Sequence, residues 1–311
     1  MNLHVRIILL FLVGMLALPV ISQAAGISLG VATWYSMWDP YWGKYKAGLQ
    51  LPIMPMSSFT PPDNMFKVDV KPNFMYGPVL SARLPDNVNL ITRFMYGQFN
   101  AQKKEQYYLN YLVMDNIGLI TRYDADLMLR YQFHDMVYLK TGFKYVHFKY
   151  EVLGLSLSYI GFFAAGRIEK ENTYNEYAPF AGFGVMIPAV KDMLFIEIDS
   201  VFQFCFADES NKQFTIGRTE FSSDITYIPP YTKRKNVKKL GVEANCNLIY
   251  RLPVIPMSMS LGFKYNMYKK LVVEKDKALE YEHQYGATAS VEYYFDISKS
   301  KAGNAASLKP E

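Results

Sequence analysis

Histidine and aspartate are the residues of this 311-residue chain whose types could support hydrolysis. Three histidines lie beyond the N-terminal apolar segment, His134, His147 and His283, and Asp124 and Asp126 form an Asp-x-Asp pair. A general base must lie within hydrogen-bond distance of the group that it deprotonates. The chemistry therefore depends on which side of their elements these side chains occupy, and the elements must be placed first.

Cysteine, charge and composition exclude several classes of site. The two cysteines have no Cys-x-x-Cys or metal-ligand spacing, so we expect neither a metal site nor a disulfide framework. The net charge of +5 is too small to favour nucleic acid as a partner. No cofactor motif is present, and we expect no cofactor. The 25 Tyr and 21 Phe favour strands, and Tyr also favours membrane interfaces.

Residues 1–24 have the pattern of a signal peptide. A short basic region ends at Arg6, an apolar run follows over 7–21, and Ser22 and Ala24 suit cleavage before Ala25. The alternative is an uncleaved anchor, but a spanning helix needs about 20 apolar residues and this run has about 15. After residue 25 no apolar run reaches the length of a membrane helix.

The remaining chain repeats a two-residue alternation of apolar and polar side chains. Leu240, Val242 and Leu248 alternate with Glu243 and Asn245, and the segments 257–265 and 284–295 repeat the pattern. Such alternation predicts strands with one apolar and one mostly polar face.

We predict ten such strands. They cover 27–38, 66–84, 88–100, 118–133, 136–149, 176–187, 193–206, 238–250, 257–268 and 282–295. Short connections alternate with long ones, which cover 39–65, 101–117, 150–175, 207–237 and 269–281. Short turns at one end, long loops at the other and an even strand count are typical of transmembrane β-barrels.

The predicted fold is therefore all-β, a single ten-stranded antiparallel transmembrane β-barrel over 25–295, followed by a flexible periplasmic tail over 296–311. The alternative is a soluble barrel or sandwich. Small and charged residues share one face and the apolar face often ends in Tyr or Phe, and both features favour the membrane. Pro78, Pro179 and the apolar stretch 153–165 fit poorly; the last is a strand extension, a plug or a partner surface.

Over nearly all of 27–295 the chain resembles the bacterial outer-membrane β-barrel superfamily. The N-terminal signal, the alternating strands and a closing strand with Tyr293 and Phe295 two positions apart carry the resemblance. It implies a location in the bacterial outer membrane, contact with its lipid and lipopolysaccharide, and insertion by the outer-membrane assembly machinery. The residues after Phe295 depart from the superfamily's usual end.

Two groups of charged residues are candidate sites. The first faces the lumen, as a neutralising network or as a pore or binding site: Asp124, Asp126, Arg130, Lys140, Lys144, Glu197, Asp199, Glu243, Lys264 and Glu292. The second lies near the outer rim, as an anionic ligand site or an ordinary solvated surface: Lys103, Lys104, Lys233, Arg234, Lys235, Lys238, Lys239, Lys269 and Lys270.

Ten strands also invite comparison with the omptin proteases, in which a His–Asp pair and an Asp pair face each other at the outer mouth. Here His134 lies in a turn, and the parity of His147 and His283 turns both outward, so neither can accompany Asp124 and Asp126. Outer-membrane phospholipases and lipid A deacylases resemble each other in a His-x-Ser-Asn segment, and neither histidine here is followed by that serine. No catalytic residue is assigned.

The leading functional hypothesis is a non-enzymatic surface protein, structural or ligand-binding through its outer loops. A narrow pore or small-solute transporter is the second, and an outer-membrane hydrolase the third. Three structural details are also predicted. Leu240, Val242, Leu248, Leu261, Phe263 and Val291 face lipid, whereas Glu243, Asn245, Lys264 and Glu292 face the lumen.

The other two details concern the cysteines and one hairpin. Cys205 faces inward and Cys246 outward, which leaves two free thiols. A three-residue turn over 134–136 places Asp126 opposite Lys144 and Arg130 opposite Lys140, in a lumen packed tightly enough to exclude a continuous water column.

Overall fold

The computed structural model describes residues 26–40, 69–107, 112–159, 163–219, 225–271 and 281–296. These residues form strands joined by turns, and the predicted signal peptide and most of the predicted tail lie outside them. The strands are β1 (Gly26–Asp39), β2 (Asp69–Val70), β3 (Asn73–Arg83), β4 (Val88–Tyr107), β5 (Leu112–Gln132), β6 (Val137–Tyr159), β7 (Phe163–Val190), β8 (Leu194–Thr219), β9 (Ile225–Arg251), β10 (Met257–Lys270) and β11 (Tyr281–Asp296).

The strands close into an antiparallel barrel. Strand β1 pairs with β3, β3 pairs with β4, and from β4 to β11 each strand pairs with the next in sequence. The barrel closes where β1 pairs with β11, from Gly26–Asp296 to Asp39–His283. Strand β2 pairs with the outer part of β4 and continues the line of β3. Because β2 and β3 occupy one strand position, the barrel has ten strands around its circumference. Closure satisfies the backbone groups that an open edge would leave unpaired in lipid. The predicted all-β, ten-stranded barrel is confirmed.

The predicted second strand, 66–84, is interrupted. Lys71 and Pro72 separate β2 from β3, and residues 66–68 lie outside the described part. A proline in a strand interior removes one donor from the ladder. Pro78 and Pro179 instead lie within β3 and β7, exposed on the outer face, and the β3–β4 and β7–β8 ladders keep the same register on either side of them. Neither proline marks a bulge.

Six strands extend well beyond their predicted ends. The segments 150–175 and 207–237, expected to be loops, mostly continue β6, β7, β8 and β9 as a paired sheet. The described parts of 101–117, residues 101–107 and 112–117, likewise extend β4 and β5. These loop predictions were wrong because backbone pairing does not require the clean alternation that a half-buried strand shows. The stretch 153–165 is a strand extension where the structure describes it.

The short turns share the end of the barrel that carries both Gly26 and Asp296. Asp86 and Asn87 have φ of 59° and 60°, as the two central residues of a type I′ hairpin require. The turn after β5 has the predicted register, with Asp126 opposite Lys144 and Arg130 opposite Lys140. Asp296 ends β11 opposite Gly26, so the predicted tail begins one residue too early.

Apolar side chains cover the outside of the barrel. Leu261 and Phe202 expose 63% and 64% of their surface, although both lie in the middle of paired strands. The residues predicted to face lipid are on this outer face, and Lys264 is 5% exposed on the opposite one. Glu243 and Asn245 also face inward, where they bond to each other. An apolar exterior around a polar interior is the arrangement of a barrel solvated by lipid.

The cysteines differ as predicted. Both are free; Cys205 is buried inside the barrel and Cys246 is exposed on its outer face. We expect a lipid-soluble maleimide to label Cys246 in the folded, lipid-embedded protein and to leave Cys205 unlabelled until unfolding. Mass spectrometry after labelling of the Cys205→Ser and Cys246→Ser variants measures each thiol separately. Rapid labelling of Cys205 in folded protein would contradict its placement.

Candidate functional site

Charged side chains fill the lumen in layers, and the layer nearest the turns contains two ion pairs. Arg130 Nη1 lies 2.8 Å from Glu197 Oε1, and Lys140 Nζ lies 2.5 Å from Asp199 Oδ2. Tyr138 donates to Glu197 at 2.8 Å, and its ring lies under the Arg130 guanidinium. The Tyr138 ring packs against the backbone of Gly184, where the Cβ of any other residue would clash with it.

The middle layer is centred on Glu243. Its two carboxylate oxygens bind two lysines from other strands: Oε2 lies 3.2 Å from Lys144 Nζ, and Oε1 lies 3.0 Å from Lys264 Nζ. The amides of Gln203 and Asn245 donate to the same carboxylate, each at 3.2 Å. One carboxylate therefore pairs with two nearly buried ammonium groups, and the layer depends on it.

Arg93 and Asp126 belong to the same layer but form no hydrogen bond to Glu243 in the described residues. Arg93 on β4 is the register partner of Asp126 on β5, which in turn faces Lys144 on β6. Within the described residues, Arg93 Nε and Asp126 Oδ1 are buried and have no hydrogen-bond partner. The predicted opposition of Asp126 and Lys144 is correct, but Lys144 forms its ion pair with Glu243 instead.

The outer layer is the most deeply buried. Lys239 Nζ lies 2.5 Å from Glu176 Oε2 and 3.1 Å from Glu282 Oε2. Arg122 pairs with Asp124 through two hydrogen bonds, of 2.7 and 3.0 Å. Ion pairs cost desolvation energy when buried, and this cost is offset only by close geometry and additional hydrogen bonds.

Aromatic rings surround this outer layer. The Trp38 indole N–H donates to Glu282 at 2.9 Å, and its ring packs edge-on against Phe99 and Phe148. Phe148 stacks on Tyr174, whose hydroxyl donates to Glu176 at 2.8 Å. Rings and ion pairs together fill the lumen at this level.

The two ends of the lumen consequently differ. On the side of the turns lies a cavity of about 1270 Å³, which is lined by turn residues such as Asn87 and Asp192 and extends inward to Trp34 and Lys264. Beyond it, Asn266 and Gln284 have no exposed surface and belong to a packed layer. The half nearest the turns is open because ten strands enclose more volume there than the side chains fill. That no continuous water column crosses the whole lumen stays a prediction.

The lumen residues predicted from the sequence lie on the inner face of their strands. Glu292, the last of them, accepts a hydrogen bond of 2.9 Å from Ser28 near the turns. The structure adds residues that the prediction missed: Arg93, Arg122, Glu176, Lys239 and Glu282. Each of them is an even number of positions from an inward-facing residue of its strand, so the two-residue repeat could have identified them. Four stand near the ends of the predicted strands, where the repeat was not followed: Arg122, Glu176, Lys239 and Glu282.

The residues of the predicted basic rim lie on three strands, β4, β9 and β10. Lys239 and Lys270 are 2% and 9% exposed and face the lumen, so their assignment to an accessible rim was wrong. Lys238 and Lys269 face outward on β9 and β10, and Lys233, Arg234 and Lys235 continue the outer part of β9. Lys103 and Lys104 lie on β4, which is not adjacent to these strands.

The histidines are distributed as their parity predicted. His147 Nδ1 lies 2.9 Å from Asn175 Oδ1, and His283 Nδ1 lies 2.9 Å from the Tyr265 hydroxyl, both on the outer face. His134 lies in the turn between β5 and β6, and its ring accepts from the Met136 amide at 3.3 Å. None of these contacts joins a histidine to Asp124 or Asp126.

The described residues lack two other kinds of feature. No group of three or more His, Cys, Asp and Glu side chains is placed to hold a metal ion. No helix long and apolar enough to cross a membrane occurs in the same ranges.

Comparisons with known proteins find similarity in structure rather than in sequence. No family model and no curated protein matches the chain. The translocator domain of the autotransporter NalP from Neisseria meningitidis is similar at 9% identity and a TM-score of 0.39, over 93% of this chain and 97% of that one. The outer-membrane protease OmpT from Escherichia coli is similar at 10% identity and a TM-score of 0.47, over 88% and 94%.

A third similar structure is the toluene transporter TodX from Pseudomonas putida, at 10% identity and a TM-score of 0.26, over 86% of this chain and 89% of that one. These three proteins are a translocator domain, a protease and a transporter, and they share no common activity.

The architecture itself is specific. The strands close without a free edge, exposed Leu, Val and Phe side chains cover the outside, and ion pairs fill the inside. Aromatic rings such as Tyr293 and Phe295 lie at the end that carries the turns, and Tyr123, Tyr145 and Tyr177 lie towards the other. This is the inverse of a soluble barrel and the arrangement that lipid requires. The chain is a closed, ten-stranded antiparallel β-barrel with the apolar exterior of a membrane-spanning barrel.

Proposed function

We propose that this protein is a non-enzymatic surface protein that binds an anionic ligand through the outer ends of its strands and the loops they carry. The observation that carries the proposal is strand length. A membrane strand needs about 9–11 residues, whereas β7, β8 and β9 contain 28, 26 and 27.

The excess length lies on the extracellular side. The turns and both chain ends lie together at the other end, which is the periplasmic end in such barrels. At about 3.3 Å per residue, more than half of β7 extends beyond the hydrocarbon layer. A paired sheet of this size gives the outer loops a rigid support, which a protein acting only within the membrane does not need.

Charge indicates the class of ligand. Lys238 and Lys269 face outward on adjacent strands, and the run 233–235 adds three basic residues to the same outer part of β9. Ammonium and guanidinium groups bind phosphates and sulfates through charge-assisted hydrogen bonds. The ligand is therefore the phosphorylated part of lipopolysaccharide or an anionic surface polymer.

Neutralising this surface tests the proposal. We expect Lys238→Gln/Lys269→Gln to weaken binding to immobilised lipopolysaccharide at least tenfold, because a lysine near an anionic surface contributes about 1 kcal/mol. Surface plasmon resonance at two salt concentrations measures the effect. Lys191→Gln, an exposed lysine in a periplasmic turn, is the control. Equal binding by wild type, the double variant and the control would contradict the proposal.

A narrow pore is the second candidate, favoured by the periplasmic cavity of about 1270 Å³. We rank it lower because Met75, Phe99, Asn266 and Gln284 have no exposed surface in the layer beyond the cavity. We expect no stable channels from the wild-type protein in planar bilayers, with a conducting porin as the positive control. Reproducible unitary conductance would place the pore ahead of the surface-binding function.

Hydrolysis is the third candidate. His147 contacts Asn175, His283 contacts Tyr265, and His134 contacts a backbone amide; none of these three contacts joins a histidine to a serine nucleophile. A nucleophile and its base must be within hydrogen-bond reach for covalent catalysis. We therefore assign no catalytic residue, and hydrolysis of lipid or peptide substrates by refolded protein would overturn this assignment.

A further inference from the structure

The inner end of the periplasmic cavity carries polar groups that the ion pairs of the lumen do not use. We call this region the cavity ceiling and define it by Trp34, Arg93, Asp126, Lys144 and Lys264, all of which line the cavity. It lies near the middle of the barrel and is reached from the periplasmic turns. It is distinct from the outer surface to which the proposed function is assigned.

Three polar atoms of the ceiling lack partners within the described part of the chain. They are the indole Nε1 of Trp34, Nε of Arg93 and Oδ1 of Asp126. Trp34 lies at the edge of the cavity and is 3% exposed, so its indole N–H is shielded from bulk solvent. Buried donors and acceptors in proteins are nearly always hydrogen-bonded. Two donors and one acceptor at one end of a cavity therefore favour a polar solute there.

The charges of the ceiling define the chemistry of that solute. Glu243 pairs with Lys144 and Lys264. Among the described residues, this leaves Arg93 as the cation and Asp126 as the anion of the ceiling without an ion pair. These two residues are register partners on β4 and β5. Directly opposite side chains have Cβ atoms about 5 Å apart, so their charged groups can address the two ends of one small molecule.

We propose that the cavity ceiling binds a small zwitterion whose carboxylate and ammonium groups are close together, as in an α-amino acid. The Arg93 guanidinium and the Trp34 indole N–H donate to the carboxylate, and Asp126 accepts from the ammonium. Lys264, whose ammonium lies 5.2 Å from the centre of the Trp34 ring, adds positive potential beside the carboxylate. The solute enters from the periplasm and stops at the packed layer beyond.

Calorimetric titration of the refolded, full-length protein in detergent with glycine tests this site. We expect saturable binding, and at least tenfold weaker binding of acetate and of methylammonium, each of which carries only one of the two charges. Arg93→Gln and Asp126→Asn should each weaken glycine binding at least tenfold. Trp34→Phe keeps the ring and removes one donor, so it should weaken binding severalfold without a change of fold.

Matched controls separate the ceiling from the rest of the cavity. Arg83 and Asp135 are exposed residues that line the cavity near its mouth. Arg83→Gln and Asp135→Asn should bind glycine as the wild type does, with all variants showing the same heat-modifiable migration in gels. Absence of saturable glycine binding, equal binding of acetate, or equal losses in the mouth variants would overturn the proposal. None of these results depends on lipopolysaccharide binding at the outer surface.

Discussion

Glu243→Gln is expected to destabilise the barrel by about 3–5 kcal/mol, since removing one partner of a buried ion pair leaves an uncompensated charge. Here the loss affects two charges, because Lys144 and Lys264 both rely on this carboxylate. Their side chains are only 2% and 6% exposed, so water cannot replace the lost anion without rearrangement. A glutamine of the same shape retains hydrogen-bonding capacity but no charge.

Equilibrium unfolding by guanidinium in lipid vesicles, followed by tryptophan fluorescence, measures this effect. Glu151→Gln is the matched control. Glu151 also forms an ion pair, with Lys149 at 2.5 Å, but the two side chains are 52% and 39% exposed. Exposed pairs contribute about 0–1 kcal/mol, so the control should change stability little. Equal effects of the two substitutions would contradict the central role of Glu243.

Leu261→Arg is expected to cost about 2–4 kcal/mol, the penalty of an arginine on the lipid face near the middle of the bilayer. Leu261 is 63% exposed on β10, and its outward neighbours on adjacent strands are Leu248 and Ala289. No carboxylate stands at these neighbouring positions. The guanidinium would have to extend towards the membrane surface or draw water into the lipid.

The neighbouring residue provides the control. Ser260 faces inward and lines the periplasmic cavity, whose volume of about 1270 Å³ can hold a larger side chain. Ser260→Arg removes the 2.7 Å hydrogen bond between the Ser260 and Ser290 hydroxyls, which contributes about 0.5–1.5 kcal/mol, so it should cost less than Leu261→Arg. The same unfolding assay compares the two variants. A larger loss for Ser260→Arg would mean that the two faces of β10 are reversed.

The alternation of side chains along single strands was sufficient to predict the barrel. In β9 the apolar Leu240 and Val242 alternate with the polar Glu243 and Asn245. This alternation specifies which face meets lipid, because a shift of one residue would turn every side chain to the other face. The register of the β5–β6 hairpin followed in the same way, since equal parity on both strands requires an odd turn length. Such features are local in sequence.

The partners of the charged residues could not be predicted in this way. The hairpin places Lys144 opposite Asp126, yet its ammonium binds Glu243, which lies 99 positions further along the chain. Inward side chains are long enough to cross the lumen, so they select partners from strands that no pairing rule connects. Sequence parity identified most members of the network but not its bonds.

The sequence by itself determined the strand faces, the hairpin register at β5–β6 and the separation of the two cysteines, because each depends on the two-residue repeat of a strand. The tertiary structure alone decided the length of the extracellular sheet, the burial of Lys239 and Lys270, and the division of the lumen into an open periplasmic cavity and a packed outer half. These features depend on which strands face each other across a closed barrel, and on how much volume their inward side chains fill.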